Sequence, residues 1–211
     1  MTRCPPCEEE VLERIRPTPE ERTYIRAMGE RLIEAVERSG GKAKAMMVGS
    51  VARDTFVRGG DRDLDIFMLF DPALSREELQ EQGGLALAHR IAEEFGATWR
   101  EKYAEHPYVN ATIDSLDIDL VPPCYAVASA TEIKSAVDRT PFHTRYILAH
   151  IDDYADDVLL AKQFAKAGGV YGSDHMTEGF SGYLCEILTI RYGGGSTRFS
   201  RPPPAGGPGG R

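Results

Sequence analysis

Two stretches of this sequence carry residues whose types and spacing could do chemistry. The first is Gly49-Ser50-Val51-Ala52-Arg53-Asp54, directly after the apolar run Ala45-Met46-Met47-Val48. A glycine and a serine where a strand turns into a helix put backbone N–H groups and a hydroxyl where a phosphate can sit. Alone, such a turn is an ordinary connection. The second stretch is Asp63-Leu64-Asp65-Ile66-Phe67. With period 2, Asp63 and Asp65 share one strand face while Leu64 and Ile66 enter a core. Two carboxylates roughly 7 Å apart along a strand repel each other unless a cation holds them. A hard divalent ion with oxygen ligands is the natural partner. Asp117-Ile118-Asp119-Leu120-Val121 repeats the acidic pattern. If the two strands are neighbours, three carboxylates converge, as two-metal phosphoryl transfer requires. The plainer alternative, two amphipathic strands with a solvated acidic face, balances that reading until the Gly-Ser turn tips it.

Positioning these groups requires a small sheet with helices against it. Thr18-Pro19-Glu20-Glu21 is a helix start, with Thr18 as N-cap, Pro19 at the first helical position and Glu21 closing a capping box. Ile25, Met28, Leu32, Ile33 and Val36 then recur at helical spacing up to Gly40-Gly41. Strands are expected over 45–48 and 64–70, the latter ended by Asp71-Pro72. Ser75 and Glu78 repeat the capping-box signature and open a helix through Leu79, Leu85, Ala88, Ile91 and Phe95, kinked at Gly83-Gly84. Further strands are expected over 98–103, 108–113 and 116–121, with Asp114-Ser115 as a turn and Pro122-Pro123 ending the sheet. From Thr131 the pattern is helical, over 131–137, after Pro141, over 153–167 and over 181–192. The expected fold class is therefore α+β. It divides into a charged, proline-broken lead (1–17), a mixed α/β half (18–136), a helical half (137–192) and a Gly/Pro-rich segment (193–211) too poor in apolar residues to order itself.

With 211 residues, 42% of them hydrophobic, the chain can form one compact domain and part of a second. No apolar run approaches the ~18 residues of a membrane span, and no apolar stretch follows the first residues as in a signal peptide. A cytoplasmic protein without membrane contact is the expectation. The net charge of −8 means that nucleic-acid binding needs a local basic patch, since nothing global draws the chain to phosphate. Cys4-Pro5-Pro6-Cys7 has zinc-knuckle spacing, yet no second Cys pair or paired His completes a tetrahedral site. Cys124 and Cys185 lie in apolar surroundings and read as small core residues, so no disulfide framework is implied.

Together these residues resemble the polymerase-β-like nucleotidyltransferase superfamily, whose signature is Gly-Ser, a short spacer, Asp-hydrophobic-Asp and a third Asp on a later strand. The particular version resembles the archaeal-type (class I) CCA-adding enzymes of tRNA. The resemblance runs in order through Val48–Thr55 (VGSVARDT), Asp63–Phe70 (DLDIFMLF), Tyr103–Asn110 (YAEHPYVN), Asp119–Tyr125 (DLVPPCY), Ile133–His143 (IKSAVDRTPFH) and Gly179–Glu186 (GFSGYLCE). It covers roughly residues 18–192.

The resemblance implies a nucleotidyltransferase catalytic head, a small mixed sheet with flanking helices, followed by part of an all-helical central domain. Asp63, Asp65 and Asp119 would be the catalytic metal ligands of a two-Mg²⁺ site, Asp119 holding the ion that activates the tRNA 3′ hydroxyl. Gly49, Ser50 and Arg53 would cradle the triphosphate, and His143, Lys162 and Tyr171 would touch the incoming nucleotide. Lys162→Ala is then expected to weaken triphosphate binding and leave the fold intact. The implied reaction is template-independent addition and repair of the tRNA 3′ CCA end from CTP and ATP, releasing pyrophosphate, with base choice made in a pocket shared by protein and RNA. The implied partner is the tRNA acceptor end, and a homodimer of the full-length protein is compatible with the resemblance. The sequence departs from the family pattern at Pro122-Pro123, one residue longer than the usual Val-Pro-Cys, at Gly59-Gly60 and Gly83-Gly84, and beyond Tyr192, where the family continues into domains that grip the acceptor arm. A chain so built is expected to bind Mg²⁺-nucleotide and to extend tRNA poorly. The alternatives are a related nucleotidyltransferase with another acceptor and an inactive nucleotide-binding fragment.

Overall fold

The fold is described from a computed structural model, over residues 6–39, 43–60, 63–71, 73–75, 84–104, 106–125, 129–133, 135, 137–151, 153–173 and 176–194. The chain divides into two compact units. One spans Pro17–Tyr146; the other joins the residues before Pro17 to those from Ile147 onward.

The Pro17–Tyr146 unit is built on a five-stranded mixed sheet of order β1-β2-β5-β4-β3. Its strands are β1 (Lys44–Val48), β2 (Asp63–Phe70), β3 (Thr98–Tyr103), β4 (Pro107–Ile113) and β5 (Leu116–Tyr125). β2 and β5 run parallel, and every other neighbouring pair is antiparallel. Alternation along the central strands sends Leu64, Ile66 and Met68 of β2, Val109 and Ala111 of β4, and Ile118 and Leu120 of β5 into one core, each essentially inaccessible. Against that face pack α2 (Pro19–Ser39), through Ile25, Met28, Leu32 and Val36, and α4 (Gly84–Glu94), through Leu87, Ala88 and Ile91. Burying one Leu or Ile side chain is worth about 1.5–3 kcal/mol, so this face supplies most of the unit's cohesion. The short helix α3 (Gly49–Ala52) follows β1 directly.

Helix α2 begins as its sequence requires. The Thr18 N–H donates to Glu21 Oε2 (2.9 Å) and the Glu21 N–H donates to Thr18 Oγ1 (3.1 Å), so both halves of the capping box form. Thr18→Ala is expected to lower stability by about 1 kcal/mol, read as a fall in urea midpoint at unchanged slope. A midpoint equal to wild type would show that solvent serves these amides as well.

Two expectations for this unit need correction. β5 does not stop at Pro122-Pro123 but continues to Tyr125. The pairing runs Phe67↔Val121 and then Leu69↔Cys124, so one residue of β2 faces two prolines of β5 across a bulge. A bulge is where a strand tolerates residues that cannot donate to the ladder. The helix expected over 131–137 is instead two single 3₁₀ turns, Ala130–Glu132 and Val137–Arg139, among the described residues. The buried Asp138 carboxylate takes the N–H groups of Ser135 and Tyr125, both at 2.8 Å, and so offers that backbone an alternative to helical pairing. The helix expected from Ser75 falls on 76–83, outside the described residues, and is seen from Gly84 onward.

The second unit is helical. Its parts are α1 (Pro6–Ile15), the end of α5 (Thr140–Leu148), α6 (Ala155–Ala167) and α7 (Gly182–Tyr192). Among its described residues the proline-broken lead is thus mostly helix. Leu12 and Ile15 are buried, and the Arg16 guanidinium forks onto Asp156 at 2.9 and 2.7 Å, tying the lead to α6. Ser181 caps α7, its Oγ accepting from the Leu184 N–H (3.1 Å). The first two residues of the Gly/Pro-rich segment close α7. Gly193 adopts φ 74°, and the Gly194 N–H donates to the Thr189 carbonyl (2.9 Å). The remainder of that segment, Cys4 and the side chain of Cys124 lie outside the described residues, while Cys185 is buried as expected. No helix among the described residues is long and apolar enough to cross a membrane.

Candidate active site

The face of the sheet turned away from α2 and α4 carries the polar residues. Because β2 and β5 pair in parallel register, Asp63 stands opposite Asp117 and Asp65 opposite Asp119. The row continues across the whole sheet. Val48 of β1 pairs with Asp65, Asp119 with Asn110 of β4, and Asn110 with Arg100 of β3. Directly paired residues project to the same side, so Asp65, Asp119, Asn110 and Arg100 lie in one line. Asp119 Oδ1 accepts from Asn110 Nδ2 at 2.7 Å, and Arg100 Nε donates to Asn110 Oδ1 at 3.3 Å.

The turn after β1 closes over this row. Gly49 has φ 73°, and a Cβ built on it would lie 1.9 Å from Asp65 Oδ2. Both facts demand glycine: the conformation disfavours other residues, and the carboxylate occupies the space a side chain would need. The Gly-Ser pair therefore brings its backbone directly against Asp65. Ser50 follows at the start of α3, and its carbonyl accepts from the Thr55 N–H (2.9 Å), which folds the chain back. Arg53, largely buried, donates to Thr144 Oγ1 on α5 at 3.2 Å. Asp54, at φ 58°, is held by an ion pair with Arg22 of α2.

The electrostatics are those of anions packed too closely. Burial, then the charges of Asp119 and Asp63, push the Asp65 carboxyl up to about 7, with Arg53 acting in the opposite direction. Asp119 is also raised, chiefly by burial, while the Asn110 hydrogen bond and the charges of Lys102 and Arg100 draw it down. Tyr108, on the same face of β4, is raised by burial and by the same three carboxylates. His143, lowered by burial and by Arg139 and Arg53, favours its neutral form.

These residues fit a divalent cation. Asp65 is half-buried, in contact with a polar backbone turn and repelled by two further carboxylates, and a positive ion there would reverse each unfavourable interaction. Among the described residues no three acidic, histidine or cysteine side chains close into a ready-made cage. Mg²⁺ does not ask for one: it keeps several waters and takes one or two carboxylates together with substrate phosphates.

Of the residues picked out from the sequence, Gly49, Ser50, Arg53, Asp63, Asp65, Asp119 and His143 belong to the Pro17–Tyr146 unit. Lys162 and Tyr171 belong to the other unit and converge on Gly182, whose Cβ would lie 3.1 Å from Tyr171 Oη and 3.5 Å from Lys162 Cε. Lys162 is 2% exposed, and its Nζ lies 3.3 Å from Oε1 of the fully buried Glu186. Its burial against Glu186 argues against the expectation that alanine there leaves the fold intact. Asn110, Arg100 and Tyr108 were not picked out. The available signal was the alternation of Tyr108, Asn110 and Thr112 with Val109, Ala111 and Ile113, which marks a polar strand face without saying which carboxylate it meets.

A family profile described as "Nucleotidyltransferase domain" matches residues 30–143, and one described as "tRNA nucleotidyltransferase, second domain" matches residues 156–199. A CCA-adding enzyme of Methanoregula boonei is 60% identical over 190 residues, covering 90% of this chain and 40% of that protein. A CCA-adding enzyme of Halobacterium salinarum is 51% identical over 191 residues, covering 88% and 41%. This chain thus spans about two fifths of the length of those relatives. Among solved structures, one of Cid1, described by its RNA terminal uridylyl transferase activity, superposes with a TM-score of 0.65 at 17% identity, over 88% of this chain and 53% of that one. At that identity the likeness speaks for the fold.

Proposed function

The chain belongs to the nucleotidyltransferase domain family, and from that premise we propose that it supplies the catalytic and nucleotide-binding part of a CCA-adding enzyme acting on tRNA. The observation that carries this reading is the Asp65–Asp119 pair on adjacent parallel strands, capped by the Gly49-Ser50 turn. The 43–60% identity to archaeal CCA-adding enzymes, over nearly the whole of this chain, supports the substrate assignment.

In this reading the 3′ hydroxyl oxygen of the RNA attacks the α-phosphorus of CTP or ATP. The bond from that phosphorus to the bridging oxygen of the β-phosphate breaks, pyrophosphate departs, and the hydroxyl proton is lost to solvent. Asp63, Asp65 and Asp119 would hold the Mg²⁺ ions, which when bound lower the pKa of the attacking hydroxyl and neutralise the triphosphate. Gly49 and Ser50 present backbone N–H groups and a hydroxyl to the phosphates. Arg53, fixed by Thr144, adds a guanidinium whose forked donors suit phosphate oxygens. His143, a neutral ring able to donate or accept, would contact the nucleotide, and the family resemblance gives the same role to Lys162 and Tyr171.

The test is incorporation of labelled CTP and ATP into tRNA lacking its CCA end, beside intact tRNA and an unrelated RNA, with calorimetric binding of Mg²⁺-CTP to the same chain. Incorporation confined to the shortened tRNA supports the proposal. Equal incorporation into every RNA would assign another acceptor, and absence of Mg²⁺-dependent nucleotide binding would overturn the reading altogether.

A further inference from the structure

We infer that Asn110 is a positioning residue for Asp119, itself oriented by Arg100, and that this relay across three adjacent strands sets the carboxylate geometry on which metal binding and transfer depend. The inference rests on the nucleotidyl-transfer reading of the site. Its basis is the direction of two hydrogen bonds. An asparagine side chain has one accepting and one donating end, and which end points where is often ambiguous. Here it is not. A guanidinium can only donate, so Arg100 Nε at 3.3 Å requires Asn110 Oδ1, and an ionised carboxylate can only accept, so Asp119 Oδ1 at 2.7 Å requires Nδ2. Rotating the amide by half a turn would set its N–H₂ against a cation and its carbonyl against an anion.

Asn110 is 7% exposed, so water cannot readily replace either partner. Both bonds involve a charged group, the stronger class of hydrogen bond. All three residues stand on paired strand positions, Arg100↔Asn110↔Asp119, so the restraint is carried by the sheet rather than by a loop. One oxygen of Asp119 is thereby fixed in place, and the other remains available to a cation. Outer residues that orient ligating carboxylates typically account for 10–100-fold in metal affinity or activity. Arg100, on an exposed edge strand, orients the amide that touches Asp119, beside the longer-range pull of its charge on that carboxylate.

The experiment titrates Mn²⁺ into the nucleotide-free chain, read by electron paramagnetic resonance, beside steady-state incorporation and thermal melting. Asn110→Ala is expected to weaken Mn²⁺ binding and lower kcat, each by about tenfold or more, with the nucleotide KM within about twofold of wild type. Arg100→Met should act in the same direction by about threefold, and the double variant should lose less than the product of the two single losses, since one residue works largely through the other. A merely structural role would lower the melting temperature without shifting Mn²⁺ affinity. Unchanged Mn²⁺ affinity in Asn110→Ala, or fully additive losses in the double variant, would overturn the inference. If Asn110→Ala does not fold, Arg100→Met at the exposed edge decides it: wild-type Mn²⁺ affinity and kcat there count against the relay. Asp119→Asn separates the two levels of argument. If it too keeps Mn²⁺ affinity and incorporation, the reading of the site fails; if it loses them and Asn110→Ala does not, only the relay fails.

Discussion

Asp65→Asn is expected to abolish nucleotide incorporation, by about a thousandfold or more, and at the same time to make the metal-free protein more stable at pH 8. The loss follows from removing a carboxylate whose charge the metal site shares in neutralising the triphosphate. The gain follows from the environment of the group. Its folded carboxyl is raised to about 7 by burial and by Asp119 and Asp63, against an unfolded value near 3.8. Between those two values the folded state binds the extra proton, so stability falls as pH rises through this window and the penalty is complete above about 7. A shift of about three units corresponds to at most about 4 kcal/mol, and partial access of solvent to the carboxylate reduces this to about 2 kcal/mol. Asparagine has nearly the same shape and cannot ionise, so it escapes the penalty. The variant should match wild type in melting temperature at pH 4 and exceed it at pH 8. Mg²⁺ should raise the melting temperature of wild type at pH 8 and raise that of the variant much less. Comparing variant with wild type at each pH cancels titrations elsewhere in the chain. A variant that melts below wild type at pH 8, or that keeps near wild-type incorporation, would remove Asp65 from the centre of the site.

The contrast between Asp65 and Asn110 shows where the sequence was legible and where it was not. Asp63 and Asp65 could be read because their meaning is local: period 2 puts both on one face of one strand, and repulsion between them follows from that alone. The capping box at Thr18, the strand at 98–103 and the helix at 181–192 were readable for the same reason. Asn110 gains its role only from register. Its partners Arg100 and Asp119 lie ten and nine residues away on two other strands, and slipping either pairing by one residue would point Asn110 into the core. Pro122-Pro123 misled because prolines normally end strands, whereas here the bulge opposite Met68 absorbs them. The lead read only as charged and proline-broken because it offers a short apolar stripe, Leu12 and Ile15, which is enough when α6 supplies the other wall and Arg16 reaches Asp156. The helical pattern of the second unit was visible, but not which faces meet, and that determines the chemistry of Lys162.

Lys162→Ala is expected to destabilise the protein by about 3–5 kcal/mol, the usual effect of removing one partner from a buried ion pair. Lys162 is 2% exposed and Glu186 0%, with 3.3 Å between Nζ and Oε1, across helices α6 and α7 that pack together. Deleting the ammonium leaves the Glu186 carboxylate desolvated without its countercharge, and truncating the stem removes packing as well. Lower nucleotide affinity in this variant would therefore not show that Lys162 touches the nucleotide. A double variant separates the two roles. In Lys162→Met/Glu186→Gln neither buried charge remains, and both replacements approximate the original volumes. Buried pairs exchanged for uncharged groups of similar shape are often neutral in stability, so the double variant should melt within about 1 kcal/mol of wild type, while Lys162→Met alone stays well below. If Lys162 contacts the triphosphate, Mg²⁺-CTP affinity should remain low in the double variant despite its recovered stability, because no cation has been restored. Calorimetric titration beside urea unfolding of the same three proteins reads both quantities. Recovery of affinity together with stability would show that Lys162 serves only to neutralise Glu186. Wild-type stability in the single variant would show that the ion pair contributes nothing to the packing of α6 on α7.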